Sequence, residues 1–525
     1  MVQTKPTTPA GHGELLARPA FENWAGLAAA NHAAAATWSF SVAGRTACDM
    51  RALARREALE RAAVFSARLG VPVDTPGDPD ALVVATGHQP ELYHPGIWIK
   101  DFLLQRLAEE TKATAFDLVV DSDTFDVVSV SSPCLTPEVS RCTQYLAVGS
   151  RDTCYACTQV PSERDIEVWI DAVGQQISSL PAPAVRRHFA EYAAGLRSSR
   201  ADAENLAELV TFARRRFEAG AATTYLELPA TSMARSEAFA AFVVDMALSA
   251  HRFAVDYNAA LADYRVVNKS RSAAQPFPDL TLDGGSTELP LWNLFSHGRQ
   301  TVWAKPHDAG VRLLNDDGSC LADLPSDPEE AIAALLAAGI QLAPKALALT
   351  LFARGFACDL FIHGVGGGGY DGVTDDVMRR YYGVEPPSYV VASITMYLPL
   401  GMHAITDEEI SAARERLNRL EHNPDAMLGD VEFDDEAERH RAIELAAEKS
   451  ALVSAIGAPD ADKKALGLRI RNVNAELAAL LSPLRDALSA ELAALESQRA
   501  ASEILTDRTY PLCFWSPLEV ADKAR

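Results

Sequence analysis

The stretch VVATGHQPELYHPGIWIK, Val83 to Lys100, decides how this chain is read. An apolar run stops at a Gly-His-Gln turn, and a second histidine, a Pro-Gly pair and a lysine follow. The run ALVVATG is short and nearly unbroken, the pattern of a strand covered on both faces. Ile97, Ile99, Phe102, Leu103 and Leu107 then recur at helical spacing, and AFDLVVDSD supplies a second apolar run. Strand, helix and strand within roughly forty residues make a βαβ unit. Such a crossover joins parallel strands, so the fold class is α/β with a parallel-sheet core.

Outward from this unit, 525 residues favour two or three domains. Residues 1–80 read as an N-terminal tail and helices: a Pro-, Thr- and Gly-rich disordered tail to about Gly13, then a helix from Asp49 to Gly70. Asp49 is its expected cap, Gly70 its stop, and Leu53, Leu59, Val64 and Leu69 its apolar face. PGDPD (Pro76 to Asp80) is a break. Residues 81–403 read as the core, with a helical insertion around 162–261, turns and short strands over 275–292, and a further strand in PPSYVVASITMYL. Over 404–505, Thr406-Asp-Glu-Glu409 is a capping box. Leu466, Ile470, Val473, Leu477, Leu480 and Leu484 keep heptad spacing, which predicts an antiparallel coiled-coil arm; a helical bundle folded onto the core is the alternative. Pro483 kinks this helix or begins a new one with Ser482 as cap. In the tail, 506–525, Tyr510, Phe514 and Trp515 are costly to leave wet and should return to the core.

The net charge of −23 argues against a general nucleic-acid binder, because a phosphate polymer needs a basic face. No run of eighteen apolar residues predicts a membrane span, and the N-terminus lacks the pattern of a signal peptide. Eight cysteines do not make a disulfide scaffold, so reduced thiols and a cytoplasmic location are expected.

In open parallel sheets, ligands sit beyond the C-terminal strand ends, facing the unpaired N–H groups of helix N-termini. Gly87, His88, Gln89 and His94 lie there, and Lys100 sits about one and a half turns into the helix. A plain turn with surface histidines is the competing reading. In VVDSDTFD, Asp121 and Asp123 share a face by the two-residue period, so the pair suits Mg²⁺, an amine or a base. A capping cluster is the alternative. Gly364, Gly366 and Gly369 match G-x-G-x-x-G, but no second strand ends in an acidic residue at the required offset. NAD is therefore not expected, and a glycine loop admitting a ligand to its amides is. Asn268, Lys269 and Arg271 suit a phosphate or carboxylate, or form a solvated charged loop. Glu288 and Trp292 stand in an apolar segment that reads as core. Cys154 and Cys157 form a C-x-x-C, but Cys134 and Cys142 upstream are eight apart, which does not match zinc spacing. Buried free thiols are favoured over zinc or redox chemistry, and no metal ligands are assigned.

The order of motifs resembles the bacillithiol-synthesis cysteine ligase family (BshC-like proteins). TGHQPELYHPGIWIK is similar to its early strand and lysine-bearing helix, VVDSDTFD to its acidic strand end, and ELPLW to its mid-chain aromatic element. APKALALTLFARGFACDLFIHGVGGGGYD is similar to its late strand and glycine loop. The chain departs from the family where Thr124 follows Asp123 without a histidine between aspartates. It departs again at His88, where the family favours glutamine, at Gly367 and Gly368, where it has Pro and Glu, and at Lys345, where arginine is expected.

The resemblance implies a Rossmann-like core of the nucleotidyltransferase type, a coiled-coil arm and a homodimer through it. It implies an enzyme forming an amide between a cysteine-type carboxylate and an amine, with ATP or ADP and Mg²⁺ as the expected cofactors. His88, His94, Asp121 and Asp123 are the candidates for catalysis. Gly87, Gln89, Lys100, Asn268, Lys269, Arg271, Lys345, Gly364, Gly366, Gly367, Gly368, Tyr370 and Asp371 are the candidates for binding. The alternative is a non-catalytic dimeric scaffold that keeps a degenerate core for small-molecule binding.

Overall fold

The expected βαβ unit lies at the centre of a six-stranded sheet. The computed structural model describes residues 6–135, 138–150, 152–270, 272, 276–295, 298–401, 405–433, 435–458 and 461–525. The sheet consists of β1 (Leu15–Arg18), β2 (Val83–His88), β3 (Thr114–Val119), β4 (Leu226–Pro229), β5 (Leu360–His363) and β6 (Val390–Ile394). Its order is β1-β6-β5-β2-β3-β4. All neighbours run parallel except β1, which pairs antiparallel with β6. The protein is thus α/β, with a mixed, mostly parallel sheet. Taken in chain order, the five parallel strands lie as 3-2-1-4-5, so the direction of winding reverses between β2 and β5.

Period-2 alternation sorts β2 onto two faces. Val83 and Ala85 pack with Met50, Ala54 and Ala58 of helix α1 (Ala47–Ser66). Thr86 faces the other way and meets Lys100 of helix α2 (Pro95–Thr111). The cap of α1 is Thr46, whose hydroxyl accepts from Asp49 N, in place of the expected Asp49; Val64 is exposed. Thr46 wins because its extended backbone sets the hydroxyl over the first turn. Helix α3 (Leu206–Glu218) brings Arg214 to Asp117 of β3 and Glu227 of β4, at 3.1 and 2.7 Å. These strands therefore bury acids within apparently apolar runs, and the guanidinium neutralises them.

Three expectations are corrected. The described part of the N-terminal segment, from residue 6 on, is ordered: Pro9, Ala10 and His12 bond to Thr395 and Tyr397, and β1 completes the sheet edge. The region read as turns with short strands supplies Leu282–Asp283 and most of Ser286–Phe295 to a six-stranded antiparallel sheet. Its hairpin, Ser286–Phe295 with Gly298–His307, pairs on one side with Leu342–Pro344. Two cysteines are oxidised: Cys134 and Cys142 form a disulfide across the hairpin of Val127–Cys134 and Ser140–Val148.

The chain divides into two compact units, and the break anticipated near residue 80 is not one of their boundaries. The first comprises 1–134, 141–398 and 508–525, and within it Tyr510, Phe514 and Trp515 are buried. The second comprises 135–140 and 399–507. In it, Asp407–His422 packs along Ser482–Leu505, and Glu436–Ile456 along Lys463–Leu480. The Thr406–Glu409 capping box is formed. Ser482 is the first helical residue, with Leu481 at the cap position and no side-chain capping bond, so Pro483 opens a helix here. Only Val473 and Leu477 of the heptad positions in Lys463–Leu480 are buried. No single helix among the described residues is long and apolar enough to cross a membrane.

Candidate functional site

A cavity of about 520 Å³ opens beyond the C-terminal ends of β2 and β5, at the point where the winding reverses. Gly87 and His88 of β2, Gln89, His94, Gly96 and Lys100 line one side. His363, Gly364, Gly366, Gly367 and Tyr370 line another, and Asp123, Trp292, Arg299, Lys345 and Arg508 close it.

The N-terminus of α2 is set by His94. Its backbone is extended, and its Nδ1 accepts from Gly96 N at 3.0 Å while Pro95 occupies the first turn. The accepting nitrogen must be unprotonated, in keeping with a pKa pushed down to about 4 by burial and the Arg508 charge. Gly96 is required by contact: a Cβ there would lie 2.7 Å from Ile394 O. His88 places Nδ1 3.0 Å from Gln89 O, which makes Nδ1 the donor and leaves Nε2 as an acceptor. Burial and the Lys100 charge push its pKa to about 3. Both imidazoles are therefore neutral far below neutral pH. As candidates for catalysis, His88 and His94 are thus too dehydrated to hold a charge near pH 7.

Lys100 is buried, and its Nζ donates to Thr86 Oγ1 at 3.1 Å and Gly87 O at 2.9 Å. Burial lowers its pKa, against the pull of Asp101 and Asp117. Asp123 accepts from Gln89 Nε2 at 3.1 Å and from Arg299 Nη1 at 3.0 Å. Asp121 does not join it. Regular β3 ends at Val119, so the two-residue period lapses. Asp121 turns to Thr231, accepting from its backbone N at 2.9 Å and from its hydroxyl. Burial raises its pKa to about 6, and it lines a different cavity.

Sequence reasoning missed the contribution of the second sheet. The register of the hairpin shifts between Leu289 and Trp292, an irregularity that re-aims the strand. Trp292, read as core, forms a platform in the cavity wall: Arg299 and Lys345 each lie 4.3 Å from its ring centre. Lys345 also pairs with Glu288 at 2.6 Å. Arg508, from the returning tail, donates to Ser393 Oγ and Ile394 O, and its buried Nε has no partner among the described residues. Four cations thus surround the cavity against the carboxylates of Asp123 and Glu288.

The G-x-G-x-x-G segment is a short helix, Val365–Tyr370, and none of its glycines has a left-handed backbone. The expected glycine loop is therefore corrected. Gly364 and Gly366 line the cavity, and a Cβ added at either would meet no described protein atom within 4 Å. At Gly368, behind the wall, a Cβ would lie 2.3 Å from Val391 Cγ2. Asp371 is also behind the wall. It binds His363 Nε2 at 2.7 Å and Arg354 Nη1 at 2.5 Å. Burial opposes its charge, but Arg354 and His363 hold the carboxyl well below the usual range. A carboxylate only accepts, so Nε2–H of His363 is the donor and Nδ1 is left as an acceptor. His363 was overlooked although it directly precedes Gly364, at the end of the strand that leads into the glycine segment.

Asn268 and Lys269 lie at the exposed C-terminal end of Ala250–Val267 and do not line the cavity; Asn268 Nδ2 caps Tyr264 O. Arg271 lies outside the described residues. Compared with known proteins, the chain matches no family model and no curated protein.

Proposed function

We propose that the cavity between β2 and β5 binds a small anionic substrate and that the protein is a BshC-like ligase. The reading is that it joins a cysteine-type carboxylate to an amine, with nucleotide activation. The single observation that carries this is the convergence of Lys100, Arg299, Lys345 and Arg508 on one cavity at the reversal of strand order. Cations around phosphate or carboxylate oxygens stabilise both ground-state charge and the charge that builds during acyl transfer. The 3-2-1-4-5 order supports the finer reading of a Rossmann-like, nucleotidyltransferase-type core.

The residues present suit a nucleotide in part. Lys100, Arg299 and Lys345 offer donors to phosphates, and Asp123 is the carboxylate available to a Mg²⁺ carried by them. Bound ATP would supply activation of the acid. The chain's own contributions are to hold the anion with Arg299 and Lys345, to position an amine at Asp123, and to accept its proton at His363 Nδ1. Trp292 and Tyr370 keep water from the reacting carboxyl. The second unit, read as a coiled-coil arm, would serve as a homodimer contact, and a cytoplasmic location goes with this reading.

The test is a thermal-shift screen across nucleotides, amino acids and thiol precursors, followed by mass spectrometry for amide product. Saturable stabilisation by ATP with cysteine, with product formed, supports the ligase. Binding without turnover would favour the scaffold reading, and no binding by any anion would end both.

A further inference from the structure

The C-x-x-C pair lies outside the proposed catalytic scheme. Cys154 is buried and Cys157 half-buried, and neither is in a disulfide. They bracket a 3-10 turn, Tyr155–Cys157, closed by Cys157 N donating to Cys154 O at 3.1 Å. The turn sets the two side chains close enough to influence each other. Both pack in one small cluster with Leu294, Ala343 and Trp292, the platform of the anion site. The backbone of the turn is tied to the acidic loop: Tyr155 N donates to Asp123 O at 3.1 Å, and Ala156 N to Asp121 O at 2.9 Å. Ala156, between the cysteines, lines the second cavity, of about 530 Å³, together with Asp121, Thr231 and Arg235. The turn thus forms part of the wall of this cavity through Ala156, and Cys157 next to it is half-buried.

We propose that Cys157 and Cys154 form a thiol–disulfide exchange site for a low-molecular-weight disulfide, with Cys157 attacking and Cys154 resolving. Cys157 is the more accessible sulfur and Cys154 the buried one. Their interaction lowers the pKa of Cys157 and, with burial, raises that of Cys154. The Cys157 thiolate attacks RSSR, forming a mixed disulfide and releasing RS⁻. Cys154 then gives up its proton and attacks the Cys157 sulfur, releasing the second RS⁻. Two protein thiols are oxidised to one disulfide, RSSR is reduced to two RSH, and the two thiol protons go to the leaving thiolates. The inference does not depend on the ligase reading.

The test equilibrates the full chain with glutathione and glutathione disulfide over a series of ratios, traps thiols by alkylation, and maps peptides. The expected result is a reversible Cys154–Cys157 disulfide. In Cys154→Ser, a glutathione adduct accumulates on Cys157, about tenfold above any adduct on Cys154 in Cys157→Ser. Cys48 and Cys320, exposed and unpaired, serve as internal controls that form adducts only. Full alkylation of both Cys154 and Cys157 at every ratio would overturn the proposal, as would adducts on Cys154 in preference to Cys157. If Cys154→Ser does not fold, the wild-type titration decides alone.

Discussion

Arg299 reaches Asp123 at 3.0 Å across 176 residues of sequence, and in doing so joins the second sheet to the end of β3. The same guanidinium lies over Trp292 and bonds Thr124 Oγ1 at 3.1 Å. It is therefore held flat, with one edge on Asp123 and its position fixed before any ligand enters. Arg299→Ala is expected to weaken binding of ATP or a carboxylate ligand about tenfold, roughly 1.4 kcal/mol. The melting temperature should barely move, because partly exposed pairs contribute little to stability. Calorimetric titration beside a melting curve checks both; unchanged affinity would remove Arg299 from the site.

His88 supplies a pH test. Its pKa in the fold is about 3, against about 6.5 for an unfolded histidine. Between those values the unfolded chain holds the extra proton, so His88 costs stability as pH falls from 6.5 towards 3. His88→Gln lacks this term. From pH 7 to 4.5, wild type should lose about 1–2 kcal/mol relative to His88→Gln, a figure reduced because the ring is not wholly shielded from water. Urea denaturation of both proteins across that range measures it. A pH-independent difference would mean that the ring is solvated.

The glycines of Val365–Tyr370 separate ligand space from packing. At Gly368 a Cβ collides with Val391, so Gly368→Ala is expected to cost about 1–3 kcal/mol of stability. At Gly366 a Cβ meets no described atom, so Gly366→Ala should be as stable as wild type or slightly more so, by helix propensity. It should nonetheless weaken ligand binding, since its methyl enters the cavity. A Gly366→Ala protein with unaltered affinity for every ligand of the wild type would place the ligand elsewhere.

What the sequence disclosed follows from the range of each interaction. The β2–α2–β3 unit was legible because strand and helix periods are local, and it carried Gly87, His88, Gln89, His94 and Lys100 to one edge. Asp121 was misplaced by a single assumption, that strand alternation outlasts the strand. Arg299, Trp292 and Arg508 were not legible as site residues because a hairpin and a returning tail deliver them, and no local period encodes that docking. The second sheet was hidden for a similar reason: the prolines and glycines of 276–290 look like turns until partner strands are known.

Asp371 carries the most demanding prediction. Its carboxylate accepts from His363 Nε2, Thr374 Oγ1 at 2.6 Å and the buried Arg354, which also reaches Asp375 at 2.6 Å. Burial alone would neutralise such a carboxyl, so its low pKa depends on the surrounding donors. Asp371→Asn keeps the shape but leaves Arg354 with Asp375 as its remaining carboxylate, and the fold should lose about 3–5 kcal/mol, as when one partner of a buried pair is removed. The amide also frees His363 to change tautomer. His363→Gln should leave more of the stability in place than Asp371→Asn, while lowering turnover of any amide-forming reaction with little change in ligand affinity. Urea denaturation, ligand titration and product formation for the two variants separate these effects. Equal loss of stability in both, with turnover lost only in proportion to unfolded protein, would make the pair structural and remove the proton-accepting role from His363.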